Sequence, residues 1–141
     1  MNIVNESSSK FIKSELKNCN LELITKSDGR EGVDFIIGNK QLFLQSIDLD
    51  TSQRSIKISK QDLGELGDNL FIALILIIDK EPKVVYLIPS KDLWQSDSNI
   101  FIENEVSLMP SLSNWEIKIS TNTISELAKY ALENMIDKLK A

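Results

Sequence analysis

The chain has 141 residues, 42% of them hydrophobic and 26% charged, with a formal net charge of −5. These values describe a folded domain of ordinary size and exclude a disordered or low-complexity polypeptide. With no histidine and a single cysteine, Cys19, the chain has no zinc centre, no Cys–His or Ser–His nucleophile pair and no internal disulfide; any chemistry must run on carboxylates, lysine, serine or a hard cation held by oxygen.

The polar opening Met1-Asn2-Ile3-Val4-Asn5-Glu6-Ser7 does not read as a signal peptide, and with the lone cysteine it leads us to expect a cytoplasmic protein without a membrane partner. From residue 8 to residue 19, Phe11, Ile12, Leu16 and Cys19 recur at helical spacing, with Ser7, Ser8 or Ser9 as N-cap and Asn18 or Asn20 as the stop. A polar, glycine-punctuated loop over 26–32 leads into a strand over 33–37. Gly38-Asn39 turns the chain into a second strand over 41–47, making a hairpin.

Residues 55–59 alternate polar and apolar as a half-wet strand does, and a short helix is expected over 61–66. The run over 70–78 is apolar at every position and far too short to span a membrane as a helix, so it predicts a central strand covered on both faces. Asp79-Lys80-Glu81-Pro82 turns into a strand over 83–88, followed by one helical turn from Pro89 and short strands over 99–103 and 115–119. Thr123-Ile124-Ser125-Glu126 has the form of a capping box, and the stripe from Ile124 to Leu139 predicts one long C-terminal helix. One domain, 1–141, is expected.

The hairpin carries the candidate chemistry. Metal-assisted phosphodiester hydrolysis needs oxygen ligands that hold a divalent ion beside the phosphate. Asp34, near the start of one strand, and Gln45, near the end of the next, are placed to converge, and Glu15 sits at the edge of the helix's apolar stripe. Each also has a plain structural role open to it: a turn residue for Asp34, backbone bonding for Gln45, a half-exposed helix carboxylate for Glu15. Trp94 and Trp115 read as packing anchors.

A helix with an inward Glu, then Gly32-Val33-Asp34, then a strand ending Gln45-Ser46-Ile47, a polar loop and an alternating strand together resemble the PD-(D/E)xK superfamily of restriction-endonuclease-like nucleases. The similarity is to small bacterial members of unknown function whose second motif reads Gln-Val-Lys-Ser, and it covers roughly residues 8–88. The resemblance implies an α/β fold bordering on α+β, with a central mixed sheet flanked by an N-terminal and a long C-terminal helix. It implies Mg²⁺ held by Asp34 and Gln45 with support from Glu15.

Ile47 stands where the family has its lysine. Lys57, on a strand expected to pair near Gln45, is the first replacement to consider, and Lys40 and Lys60 are weaker ones; a one-residue slip would instead turn Ser46 and Asp48 to the site. Without the motif lysine the expectation is a degenerate nuclease, inactive or weakly active on nucleic acid. The competing expectation is a small acidic interaction module, immunity or antitoxin-like, that binds a protein partner or a second copy of itself.

Overall fold

A computed structural model of the chain describes residues 3–25, 35–52, 54–94 and 100–140. The order of elements is α1 (Ile3–Lys17), β1 (Ile24–Thr25), β2 (Phe35–Ile37), β3 (Lys40–Asp48), β4 (Ser55–Ser59), α2 (Lys60–Leu63), β5 (Leu70–Ile78), β6 (Glu81–Pro89), β7 (Phe101–Asn104), β8 (Asn114–Lys118), α3 (Ile124–Leu127) and α4 (Leu132–Lys140). The architecture is mixed α/β of the α+β kind. Among the described residues no helix is long and apolar enough to cross a membrane.

The strands form two sheets instead of the single expected one: a mixed sheet in the order β1-β2-β3-β5-β6 and an antiparallel sheet in the order β4-β8-β7. The apolar run becomes β5, the middle of the first sheet, parallel to β3 and antiparallel to β6. Eight of its nine residues are buried, as a strand covered on both faces requires.

Pairing of β3 with β5 is unbroken from Gln41↔Leu70 to Asp48↔Ile77. Alternation therefore sorts the sheet into two faces. One carries Leu42, Leu44 and Ser46 beside Phe71, Ala73 and Ile75. Helix α1 lies on this side, where the Ser46 hydroxyl donates to that of Ser8 at 2.8 Å. The other face carries Phe43, Gln45 and Ile47 beside Ile72, Leu74 and Leu76. The dry residues of the second sheet, Ile56, Ile58, Trp115, Ile117 and Phe101, belong to the same continuous core.

Helix α1 runs from Ile3, so the serines expected as its N-cap lie inside it, and Ser8 is fully buried. Its end matches the expected asparagine stop. Asn20 takes a left-handed φ of 65°, Leu21 N–H reaches Leu16 C=O at 2.9 Å and Asn20 N–H reaches Lys17 C=O at 3.0 Å, which is a Schellman closure with asparagine in the place usually held by glycine. Gly38 (φ 57°) turns the β2–β3 hairpin as expected.

The expected long C-terminal helix is broken. Thr123 makes no capping bond; its hydroxyl instead donates to Lys118 C=O and accepts from Ser120 N–H, both at 2.8 Å. After α3 comes a 3₁₀ turn, Ala128–Tyr130, and Ala131 is extended and bridges to Tyr86 on β6. The cause is Tyr130. It is 3% exposed, its hydroxyl donates to Asp92 at 2.7 Å, and its ring lies 6.0 Å from that of Phe101. Burying that ring and bridging to β6 outweighs one turn of helix continuity. Ile124, on the stripe expected to be apolar-in, is consequently 40% exposed.

The β5–β6 turn places Asp79 (φ 54°) and Lys80 (φ 66°) in the left-handed region, as a two-residue hairpin twisted to match its strands demands. Aspartate tolerates this region but lysine does not favour it, and the Asp50 carboxylate holds both in place by accepting their N–H groups at 2.8 and 2.7 Å. Lys80→Gly should therefore stabilise the chain by about 1 kcal/mol by removing a side-chain clash that glycine lacks. An increased urea midpoint at unchanged slope is the expected result; an unchanged or lower midpoint would contradict the turn geometry.

Candidate functional site

Of the residues proposed from the sequence, Asp34 lies outside the described residues. Gln45 is half-buried at the centre of β3, on the face away from α1. Glu15 is half-buried on α1 itself. The sheet thus stands between Glu15 and Gln45. Ile47, at the motif's lysine position, shares Gln45's face and is 0% exposed, packed among Leu74 and Leu76.

The expectation that the 55–59 strand pairs near Gln45 is corrected: β4 pairs with β8 in the second sheet. Ile56 and Ile58 point into the core, so Lys57 between them points out to solvent, opposite Glu116. Lys57 is not brought to Gln45. Lys40, at the other end of β3, lies about 16 Å up the strand from Gln45 and donates to Asn69 Oδ1 at 3.1 Å. In the alternative register, Ser46 is bonded to Ser8 and the Asp48 carboxylate accepts Asp50 N–H at 2.9 Å. Among the described residues no three Asp, Glu, Cys or His side chains come together.

Two arrangements on the second sheet were not anticipated. In the first, the Lys60 ammonium bonds the carboxylates of Glu103 and Glu105 and lies 4.5 Å over the Trp115 ring. Partial burial works against the lysine's charge, but the bonds it donates to Glu103 and Glu105, with the charge of both carboxylates, outweigh it and raise its pKa. Glu105 is held below the usual carboxylate range, first by its bond from Lys60. On the sheet's wet face, the Asn104 amide donates to Asn114 at 2.8 Å and to Glu116 at 3.1 Å, and this bond leads the causes lowering the Glu116 pKa. Trp115 and Lys60 were visible as residue types; nothing in the linear order joins them to Glu103 and Glu105.

The second is the segment 105–113 that joins β7 to β8. Ser113 is buried, and its hydroxyl accepts Val106 N–H at 2.9 Å and donates to Glu105 at 3.3 Å. Met109 N–H reaches Val106 C=O, Leu112 N–H reaches Met109 C=O and Ser113 N–H reaches Pro110 C=O, at 3.1, 2.9 and 3.0 Å. The result is a backbone-bonded knuckle that displays Leu108, Met109 and Leu112 at 95%, 55% and 55% exposure. Isolated exposed apolar residues are common on any surface; three large ones on one self-bonded turn are not.

Two predictions follow from these placements. Ile47→Lys, which supplies the lysine of the resembled motif, should cost about 3–5 kcal/mol, because it puts an unpaired ammonium into a fully buried site. Denaturant unfolding measures the loss; a variant that is as stable as the wild type and gains Mg²⁺-dependent cleavage would contradict the placement. The second concerns acid. Because the Glu105 pKa in the folded chain lies below its ordinary 4.5, the stability it contributes is present above that value and lost as pH falls through the lowered one. Lys60→Gln should thus flatten the decline in unfolding free energy below about pH 5 relative to the wild type; parallel pH curves for the two chains would refute the coupling.

No family model, no curated protein and no solved structure matches this chain.

Proposed function

We propose that this chain is a non-enzymatic protein-binding module with a restriction-endonuclease-like fold from which phosphodiester chemistry has been lost, and that it engages its partner through the 105–113 knuckle. The observation that carries the reading is the ordered display of Leu108, Met109 and Leu112 on a turn fixed by its own backbone bonds. A pre-ordered apolar knob loses little conformational freedom on docking, so most of its burial is retained as affinity. The partner is a protein offering an apolar cleft with a basic rim, the complement of a chain with net charge −5.

The fold resemblance draws support from the mixed sheet, its parallel β3–β5 pair, and the helix α1 against one face. The nuclease chemistry draws less. Its Mg²⁺ would need Asp34 and Gln45 with Glu15 in support, yet Glu15 and Gln45 occupy opposite sides of the sheet, Lys57 faces away, and Ile47 closes the lysine position. The acidic charge also opposes a polyanion.

The test is a benzophenone-bearing residue at position 108, activated in the source cell. We expect one dominant cross-linked protein species that disappears when Met109→Asp and Leu112→Asp are added; these exposed side chains are dispensable for folding. A cross-link confined to a second copy of the chain, no cross-link at all, or Mg²⁺-dependent DNA cleavage abolished by Asp34→Ala, would each overturn the reading.

A further inference from the structure

A groove of ≈ 380 Å³ opens at the end of the first sheet where β3 and β5 begin and β6 ends. Its volume lies within the range of small-ligand sites. Phe71 and Pro89, neighbours in the β5–β6 register on the α1 side of the sheet, line its apolar part. Three lysines reach it from three separate elements: Lys40 from the start of β3, Lys91 from the 3₁₀ turn Ser90–Leu93, and Lys138 from α4. Against them stand Asp68 and Asp92. On a chain whose total is −5, this leaves a local excess of positive charge.

The walls of the groove are fixed before anything binds. Ser90 is 0% exposed, and its hydroxyl both donates to Gly67 C=O and accepts Gly67 N–H, each at 2.9 Å, clamping the 64–69 loop to the end of β6. Asp92 is held by the Tyr130 hydroxyl at 2.7 Å, and Lys40 is oriented by Asn69. The exposed element is Asp68. It bonds Lys91 at 2.8 Å, yet its side chain is 83% exposed. Its carboxyl is held below the ordinary range by that bond first, with Lys40 contributing further. Lys138 has no ion-pair partner among the described residues.

We propose that this groove binds a small organic phosphate monoester, whose phosphate takes the place of the Asp68 carboxylate among Lys40, Lys91 and Lys138 while its body lies over Phe71 and Pro89. A doubly charged tetrahedral group suits three compact ammoniums arriving from different directions better than a single carboxylate does. Asp68 is in this arrangement an internal competitor that neutralises the lysines when no ligand is present, and its exposure lets it swing out at small cost. Asp92, fixed by Tyr130, faces the ligand's body as an acceptor for hydroxyl or amino donors. The site is separate from the 105–113 knuckle, so its failure and the failure of the protein-binding reading are distinguishable.

The experiment is a titration of the uniformly ¹⁵N-labelled chain with ribose 5-phosphate and, separately, inorganic phosphate, at constant ionic strength with sodium chloride as control. Shifts should concentrate at the Gly67 and 90–92 amides. Lys40→Gln with Lys138→Gln should weaken binding by about tenfold or more, as loss of charge-assisted contacts does. Asp68→Asn should tighten it several-fold, as a removed competitor must. Gly67→Leu offers the independent check: a Cβ there meets nothing within 4 Å, so the position accepts a side chain without a clash, and because Gly67 lines the groove the added bulk is expected to weaken binding while the remaining spectrum stays in place. Identical shifts from chloride, weaker binding by Asp68→Asn, or undiminished binding by Gly67→Leu, would each overturn the proposal.

Discussion

The arrangement of the molecule depends on β5. A strand with Leu, Ile, Phe or Ala at every position has no face that tolerates water, so each side of the sheet it centres must be covered by another layer. Helix α1 covers one side, with Ile12 and Leu16 fully buried. The other side is lined by Ile72, Leu74 and Leu76 beside Phe43 and Ile47, and the second sheet contributes Ile56, Ile58, Trp115 and Ile117 to the same core. Apolar burial of this extent, at roughly 25 cal/mol per Å², is the dominant favourable term in the fold.

That constraint also bears on the hairpin motif. In the sequence, Ile47 looks like a gap in a catalytic set. In the sheet it is Leu76's register partner on a covered face. A lysine there would have to carry its charge into the core, so an apolar residue at this position and the covering of this face go together. Gln45 sits two residues earlier on that face, where burial is incomplete, and an uncharged amide is the kind of polar group that such a place accepts at tolerable cost.

How far the sequence could be read follows from what periodicity encodes. It marks which residues of a strand avoid water, so β5, the alternation of β4, the Gly38 turn and the Asn20 stop were readable in advance. It does not say which strand lies alongside. The separation of β4 from β3, and with it the distance between Lys57 and Gln45, is a matter of pairing, and the polar loop between them offers no clue to it. The face on which Gln45 falls relative to Glu15 likewise depends on register, where one residue reverses the answer. The C-terminal break was hidden for another reason. The apolar stripe is overridden by one tyrosine whose ring and hydroxyl are satisfied together by Phe101 and Asp92, and the capping box by the bonds the Thr123 hydroxyl makes to Lys118 and Ser120 instead.

The buried polar side chains show how this fold holds its irregular parts. Among the described residues they are Ser8, Ser90, Ser113 and Thr123, all small hydroxyls, and each has its partners. Ser8 joins α1 to β3, Ser90 clamps the Gly67 loop, Ser113 closes the knuckle, and Thr123 fastens the turn after β8. A hydroxyl can donate and accept at once, which lets one buried atom satisfy both a backbone N–H and a backbone C=O, as Ser90 does for Gly67. Such a bond contributes only about 1 kcal/mol net, but deleting the hydroxyl leaves part-buried backbone groups unpaired at a cost of up to about 1–3 kcal/mol. The exposed ion pairs nearby, such as Lys91 with Asp68, contribute little to stability by comparison. Shape at the groove and at the knuckle is therefore set by the buried serines, which leaves the surface charges and apolar side chains around them free to be used for binding.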